Sequence, residues 1–161
     1  MAAALKHLVS VWNPSYAADA MDAHLAVLLA LAQRHAQGQL AADDVYVWWG
    51  KVRSQNRQQP LPHRDAILAI DEQCERDETH VYLTDYRSLY VAHLGEITAE
   101  DVPGDTAAEM ERMPEYYRGM AIDFWFRLFD IRRLVANDTV AVIAELRHLR
   151  NTRYHDRPVS L

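Results

Sequence analysis

The stretch DDVYVWWGKVRS, residues Asp43 to Ser54, combines the strongest strand signal in the sequence with its most unusual side chains. In an extended chain, alternate side chains point to opposite faces. The pattern places Val45, Val47 and Trp49 on one face, and Tyr46, Trp48 and Val52 on the other. Because both faces are apolar, the stretch is predicted to be a buried strand at the centre of a sheet.

A run of hydrogen-bond donors follows this strand. It consists of Lys51, Arg53, Ser54, Gln55, Asn56, Arg57, Gln58 and Gln59, and no acidic residue lies between Val45 and Arg64. A buried strand that brings two adjacent tryptophans to a basic, amide-rich loop can form the floor and rim of a pocket for a flat, polar ligand. The alternative is that Trp48 and Trp49 belong simply to the core, as most large aromatic residues do.

Length and charge limit the classes of protein. The chain has 161 residues, half of them apolar, which is enough for one domain, 1–161, with a real core. A net charge of −6 counts against nucleic acid as a partner, but the charge is unevenly distributed. Acidic residues concentrate in 96–115, whereas 45–64 and 127–157 are rich in arginine and lysine. Because the sequence stops at PVSL without a tail, we expect it to be the N-terminal part of a longer protein.

Other signals concern location and chemistry. A single cysteine, Cys74, excludes an internal disulfide framework and is typical of a reducing cytoplasm. The sequence shows no signal peptide and no apolar run of membrane-spanning length, so a cytoplasmic protein without a membrane partner is predicted. It also lacks a glycine-rich phosphate loop, a nucleophile elbow and zinc-ligand spacing, so no cofactor and no metal are expected.

The remaining segments alternate between strand and helix. The first half is predicted to contain a strand at Leu5–Trp12, a helix from about Met21 that ends before Gly38, the strand already described, and a helix at Arg64–Arg76. A hairpin of His80–Thr84 and Leu89–Leu94 follows, and then a mobile acidic surface excursion up to Tyr117 with one helical turn. The last predicted elements are a strand from Ile122 and a helix at Asp138–Arg150. This order predicts an α+β fold. We expect a small curved mixed sheet or a partly closed β-barrel flanked by helices.

Three of these stretches together resemble the PUA-like superfamily and, within it, the EVE and YTH domains. They are Asp44–Ser54, Leu89–Ile97 ending in GEI, and Asp123–Leu134 beginning in DFWF. The resemblance implies a module that flips a modified base out of DNA or RNA and holds it in an aromatic cage. It further implies the specificity domain of a defence or restriction protein, whose second partner is a C-terminal effector domain of the same longer chain.

Such chemistry requires rings for stacking, polar groups for the base edge and cations for the flanking phosphates. The stacking candidates are Trp12, Trp48, Trp49, Tyr86 and Trp125; the edge candidates are Asn13, Ser54 and Asp123; the phosphate candidates are Lys51, Arg53, Arg57 and Arg87. For each tryptophan the alternative is the core, and for each arginine it is a solvated face. Asp85 with Arg87 is predicted to be a loop cap.

Two rival functions remain open beside the binding module, which is not expected to be an enzyme. The sequence RNTRYH, Arg150 to His155, resembles the catalytic motif of HEPN ribonucleases, in which arginine stabilises phosphate charge and histidine acts in general acid–base catalysis. HEPN domains are all-helical, and the basic residues also suit a helix C-terminus. The second rival is a protein-interaction domain of a multidomain effector.

Overall fold

The computed structural model describes residues 5–53, 64–99, 103 and 106–148, and the backbone of 150–151 and 157–158. In chain order its elements are β1 (Leu8–Val11), α1 (Ala20–Ala36), β2 (Val47–Val52), α2 (Arg64–Cys74), β3 (Thr79–Thr84), β4 (Leu89–Thr98), α3 (Ala107–Met110), β5 (Ile122–Val135), α4 (Thr139–Leu146), β6 (Arg150–Asn151) and β7 (Arg157–Pro158). Short 3₁₀ turns lie at Ala42–Asp44 and Glu115–Tyr117.

Five strands form one mixed sheet in the order β1-β3-β4-β5-β2. β1 is parallel to β3, and the other pairs are antiparallel. The sheet curls into a half-barrel whose edge strands are β1 and β2. The predicted α+β class and the curved mixed sheet are therefore confirmed, and such a sheet is incompatible with an all-helical HEPN fold.

The main core lies between the sheet and the helices α1 and α2. Strand alternation supplies most of it, with Val47, Trp49, Val81, Leu83, Leu94, Phe124, Phe126 and Leu128 all buried. α1 adds Met21, with Leu25 and Leu28 packed alongside at helical spacing. The helix ends as predicted, with Gly38 in the left-handed region at φ 76°.

The other face of β2 packs into a second core made of Tyr46, Trp48, Met113, Tyr117 and Trp125. The predicted burial of both faces is thus confirmed, but the predicted central position is wrong, because β2 is an edge strand. The chain from Thr106 to Tyr117, which we call the strap, takes the place of a further strand. Its Arg112 carbonyl accepts a hydrogen bond from the Trp48 backbone N–H at 2.7 Å.

The strap also corrects the prediction of a mobile surface excursion up to Tyr117. Arg112 is 5% exposed, and its guanidinium donates to the carbonyls of Asp44 and Ala108. Thr106 caps α3 by accepting from the Glu109 N–H. These contacts satisfy the polar groups of the strap and hold it against β2.

Turns and caps agree with the sequence predictions. The hairpin of β3 and β4 has the predicted four-residue loop, and Asp85 Oδ1 accepts from the N–H groups of Arg87 and Ser88 at 2.9 Å each. The loop cap is therefore confirmed. Asp138 caps α4 by accepting from the Ala141 N–H.

Candidate functional site

A cavity of about 160 Å³ is lined by residues from both edge strands of the half-barrel, together with the strap and the start of α1. Its lining residues are Ser10, Val11, Trp12, Asn13, Tyr16, Ala20, Trp49, Gly50, Lys51, Val52, Tyr116 and Tyr117. Trp49 and Tyr117 are almost fully buried, whereas Asn13 and Tyr16 are exposed. The cavity therefore has an inner apolar wall and a mouth open to solvent.

Five of the twelve lining residues are aromatic. The Trp12 and Trp49 rings meet edge-to-face, with centroids 5.5 Å apart and planes at 67°. Tyr116 and Tyr117 lie 4.3 Å apart at 40°. Tyr16 completes the set of five aromatic lining residues. A wall of this composition favours a flat, aromatic ligand.

Local sequence explains how Trp12 reaches the cavity. Its backbone N–H donates to the Thr84 carbonyl at 3.0 Å, which continues the pairing of β1 with β3. The chain then turns at Asn13-Pro14, where the Asn13 side chain accepts from the Ser15 N–H at 2.9 Å. Trp12 is thereby held at the point where the edge strand stops.

Gly50 allows the rings behind β2 to approach its backbone. A Cβ atom at this position would lie 3.0 Å from ring atoms of both Tyr117 and Trp125. A larger residue would need Tyr117, Trp125 or both to shift by a few tenths of an ångström. Glycine therefore allows these rings to pack closely against the backbone of β2.

Two polar lining side chains stand out. The Ser10 hydroxyl is buried, the residue being 7% exposed, and makes no hydrogen bond. Among the described lining residues Lys51 carries the only formal charge, and it is partly exposed. The Ser10 Oγ atom is enclosed by protein atoms and is not accessible from the cavity, so Lys51 is the one formally charged group that the described lining offers to a ligand.

His24 of α1 lies behind the wall. Its ring stacks on Trp49 with centroids 4.1 Å apart, and its Nε2 accepts from the Tyr117 hydroxyl at 3.0 Å. Burial lowers the pKa of His24 to about 3, against the opposing effect of the Ala20 and Trp48 carbonyls. Burial likewise raises the pKa of Tyr117 well above its ordinary value. Both groups are therefore neutral at physiological pH.

The cavity brings together four of the residues predicted from sequence, namely Trp12, Asn13, Trp49 and Lys51. Sequence reasoning missed Ser10, Tyr16, Tyr116 and Tyr117. Tyr116 and Tyr117 were overlooked because the acidic, proline-containing segment around them indicated a surface loop. The one available signal was the adjacent pair of tyrosines at its end.

The remaining candidates lie elsewhere. Trp48 and Trp125 are in the second core, where the Trp48 indole N–H donates to Glu109 at 2.7 Å. Tyr86 packs against the small cluster of Leu89, Val142 and Leu146. These three rings do not line the cavity, because they pack in the second core and in the cluster around Leu89.

The polar candidates divide in the same way. Asp123 is paired with Arg53 at 3.1 Å on the neighbouring part of the sheet, and Arg87 is exposed in the hairpin loop. Ser54 and Arg57 lie outside the described residues. Of the pair considered for ribonuclease chemistry, Arg150 belongs to the two-residue strand β6 and His155 is outside the described residues.

The described part of the chain contains no group of three or more histidine, cysteine or acidic residues placed to hold a metal ion. Within the same residues, no helix has the length and apolarity needed to cross a membrane.

Comparison with known proteins gave one result. Searches of the curated proteins and of the solved structures found no significant match. A family model described as Pua-like matches residues 26–156, which is more than half of the chain and confirms the superfamily resemblance of the strand pattern. This chain belongs to the Pua-like family.

Proposed function

We propose that this protein is a nucleic-acid-binding module that holds one extruded base in the cavity between β1 and β2. Membership of the Pua-like family favours binding of RNA or other nucleic acid in general. The cavity adds a place for a base, because five aromatic residues line it together with polar side chains such as Asn13 and Lys51. Extruded bases are recognised by stacking on aromatic rings and by hydrogen bonds to their edges.

The size of the cavity agrees with one ring system. Its volume is about 160 Å³, and an engineered apolar protein cavity of roughly 150 Å³ accommodates benzene. Pockets for drug-sized ligands are larger, at about 300–1,000 Å³. A single base fits this range if its sugar and phosphates remain outside the mouth.

The convergence of aromatic rings is the observation that carries the proposal. Trp12, Trp49 and the Tyr116–Tyr117 pair come from separate parts of the chain, and all of them line one cavity. Ser10 also belongs to the lining, but its Oγ atom is enclosed by protein atoms and is not accessible from the cavity. Hydrogen bonds to the edge of the base are therefore proposed for Asn13, an edge candidate from the sequence that lines the cavity.

Phosphate contacts are assigned to Lys51 of β2 and to Arg53, the residue that follows this strand. Lys51 lines the cavity, and Arg53 follows two residues later with its side chain 53% exposed. The ion pair of Arg53 with Asp123 leaves much of the guanidinium accessible to solvent. Charge-assisted contacts to phosphate suit both side chains.

The finer part of the proposal is that the preferred base is modified and that the module directs an effector in a defence or restriction system. A methyl or hydroxymethyl group on the base would add contact area against the aromatic wall, where burial is favourable. The effector is proposed to be a further domain of a longer chain, following the EVE- and YTH-like strand pattern.

A panel of short oligonucleotides tests this function. Unmodified strands and strands with methylated or hydroxymethylated bases are titrated against the protein, and we expect a preference for one modification. Trp12→Ala should weaken this binding about 5- to 150-fold, because stacking on one ring contributes roughly 1–3 kcal/mol per base. Ser10→Ala should leave the binding nearly unchanged, because the Ser10 Oγ atom is not accessible from the cavity.

Val9→Ala is the matched control, since Val9 lies on the same strand, is exposed and does not line the cavity. It should bind like the wild type. Equal or absent binding across the panel would contradict the proposed function and would favour a protein-interaction domain. If Val9→Ala loses as much binding as Trp12→Ala, the cavity is not the binding site.

A further inference from the structure

His24 contacts the cavity wall from behind without lining the cavity itself. One contact is the stacking of its ring on Trp49, at 4.1 Å and 27°. The other is the hydrogen bond from the Tyr117 hydroxyl to its Nε2 at 3.0 Å. Both partners are lining residues, one on β2 and one on the strap. A single side chain of α1 therefore connects the two elements that carry the inner wall.

The orientation of the imidazole is fixed by a third contact. His24 Nδ1 lies 2.7 Å from the carbonyl oxygen of Ala20, one turn earlier in α1. Because a carbonyl can only accept, Nδ1 carries the proton in the neutral ring, and Nε2 is left as the acceptor. The Tyr117 hydroxyl must then donate to Nε2. The direction of each hydrogen bond in this chain is determined by the helix backbone.

We propose that His24 is a positioning residue for the cavity, which sets the placement of Trp49 and Tyr117 and thereby the affinity for a flat ligand. This inference rests on the proposed function of the cavity. His24 is 0% exposed and does not itself line the cavity, so it acts on the ligand only through these two rings.

A purely structural role explains these contacts less well. A phenylalanine would fill the space and stack on Trp49 without the cost of burying a polar ring. The imidazole adds a hydrogen-bond acceptor that holds the Tyr117 side chain in one orientation. The side chain then loses less conformational entropy when a ligand binds. Edge contacts to Tyr116, at 6.0 Å and 74°, extend the same support to a third lining ring.

A double-mutant cycle in ligand affinity tests this role. Tyr117→Phe removes only the hydroxyl, whereas His24→Phe removes the Nε2 acceptor and the Nδ1 donor while keeping a ring against Trp49. Each single variant breaks the hydrogen bond between Tyr117 and His24, and we expect each to bind the preferred oligonucleotide about 5- to 20-fold more weakly. Because the second substitution has no such bond left to break, the loss in the double variant should be much smaller than the product of the two single losses. Affinities are referred to the folded fraction measured by circular dichroism.

Tyr16→Phe is the matched control, because Tyr16 also lines the cavity but is exposed at its mouth. Combined with His24→Phe it should show additive losses. Additive losses for the Tyr117 pair, with wild-type binding intact, would overturn the positioning role alone. A wild-type protein that binds none of the oligonucleotides would overturn the proposed function and this inference together. If His24→Phe does not fold, Tyr117→Phe decides the matter, since unchanged affinity in that variant also overturns the role.

Discussion

Two buried polar side chains near the cavity differ in how their hydrogen bonds are satisfied. Both ring nitrogens of His24 have partners within the protein, whereas the Ser10 hydroxyl has none. The satisfied ring of His24 contributes to the shape of the site, whereas the Ser10 hydroxyl is enclosed by protein atoms and is not accessible to a ligand in the cavity. Neither residue could be selected from sequence, because a lone histidine within a helix and a lone serine within a strand carry no distinguishing pattern.

The buried histidine predicts how stability depends on pH. Its pKa is about 3 in the folded protein and 6.5 in the unfolded chain, so only the unfolded chain gains a proton as the pH falls below 6.5. The contribution of His24 to the free energy of unfolding should therefore be constant above pH 7. It should decline as the pH falls from 6.5 to 3. At roughly 1.4 kcal/mol per pH unit, the loss between pH 7.5 and 5 is about 2 kcal/mol.

Urea unfolding at several pH values measures this loss, with His24→Phe as the comparison. The variant should show a flatter pH dependence over the same interval. Any slope that remains belongs to other groups such as His7, whose pKa is lowered by partial burial and by the neighbouring His80. A variant with the full wild-type slope would show that His24 does not control acid sensitivity.

The packing of the strap against β2 is the part of the fold that the sequence pattern does not predict. The two-faced burial of β2 could be predicted from the alternation around Trp48 and Trp49, and the hairpin from its turn residues. The position of β2 at the sheet edge could not, because its second face is covered by a segment distant in sequence. Glu109 lies in an acidic run, which indicates exposure to solvent. Its carboxylate nevertheless accepts hydrogen bonds from the buried side chains of Tyr46 and Trp48.

Glu109 is accordingly predicted to stabilise the strap. Its two oxygens accept from the Tyr46 hydroxyl at 2.5 Å and from the Trp48 indole at 2.7 Å. Glu109→Ala leaves both donors without this partner. Hydrogen bonds to a charged group contribute about 1.5–3 kcal/mol each, and because these two are only partly buried we expect the lower end, a loss of roughly 3 kcal/mol in the free energy of unfolding. Denaturant unfolding monitored by tryptophan fluorescence measures the change.

Glu111→Ala provides the control, because this neighbouring glutamate pairs only at the surface with Arg34, and both side chains are largely exposed. Its removal should cost less than about 1 kcal/mol. Equal losses for the two variants would contradict the assignment of Glu109 as the anchor of the strap.

For the whole molecule, the curled sheet and the charge distribution act together. Sequence reasoning could predict a partly closed barrel and a set of aromatic candidates, but not which rings meet. Trp12 and Trp49 meet because the half-barrel brings its two edge strands to one cavity, and their separation of 37 positions in the chain gives no sign of it. Trp125 is equally aromatic but enters the second core, since its position on β5 points it to the other face of the sheet.

The net charge of the protein determines how salt should affect its binding to nucleic acid. A protein with a net charge of −6 is repelled by nucleic acid at long range, so its affinity must come from the cavity and a few local cations. Lys51 in the wall, with Arg53 next to it, supplies about one to three phosphate contacts. For single strands each contact contributes about −0.7 to the slope of log K against log salt, so we expect a slope of about −0.7 to −2.

Substitution of the only two lysines in the sequence distinguishes a local contact from the general charge effect. Lys51→Ala should reduce the slope by about 0.7 and weaken binding at low salt. Lys6→Ala makes the same change in net charge, but Lys6 lies beyond the opposite end of β1 from Trp12 and should leave the slope unchanged. Fluorescence anisotropy at 50–300 mM salt, with slopes fitted for the wild type and both variants, provides the measurement. Equal slopes for the two variants, or a wild-type slope much steeper than about −2, would contradict this prediction. Nucleic acid would then bind to a broader basic surface and not mainly at the cavity.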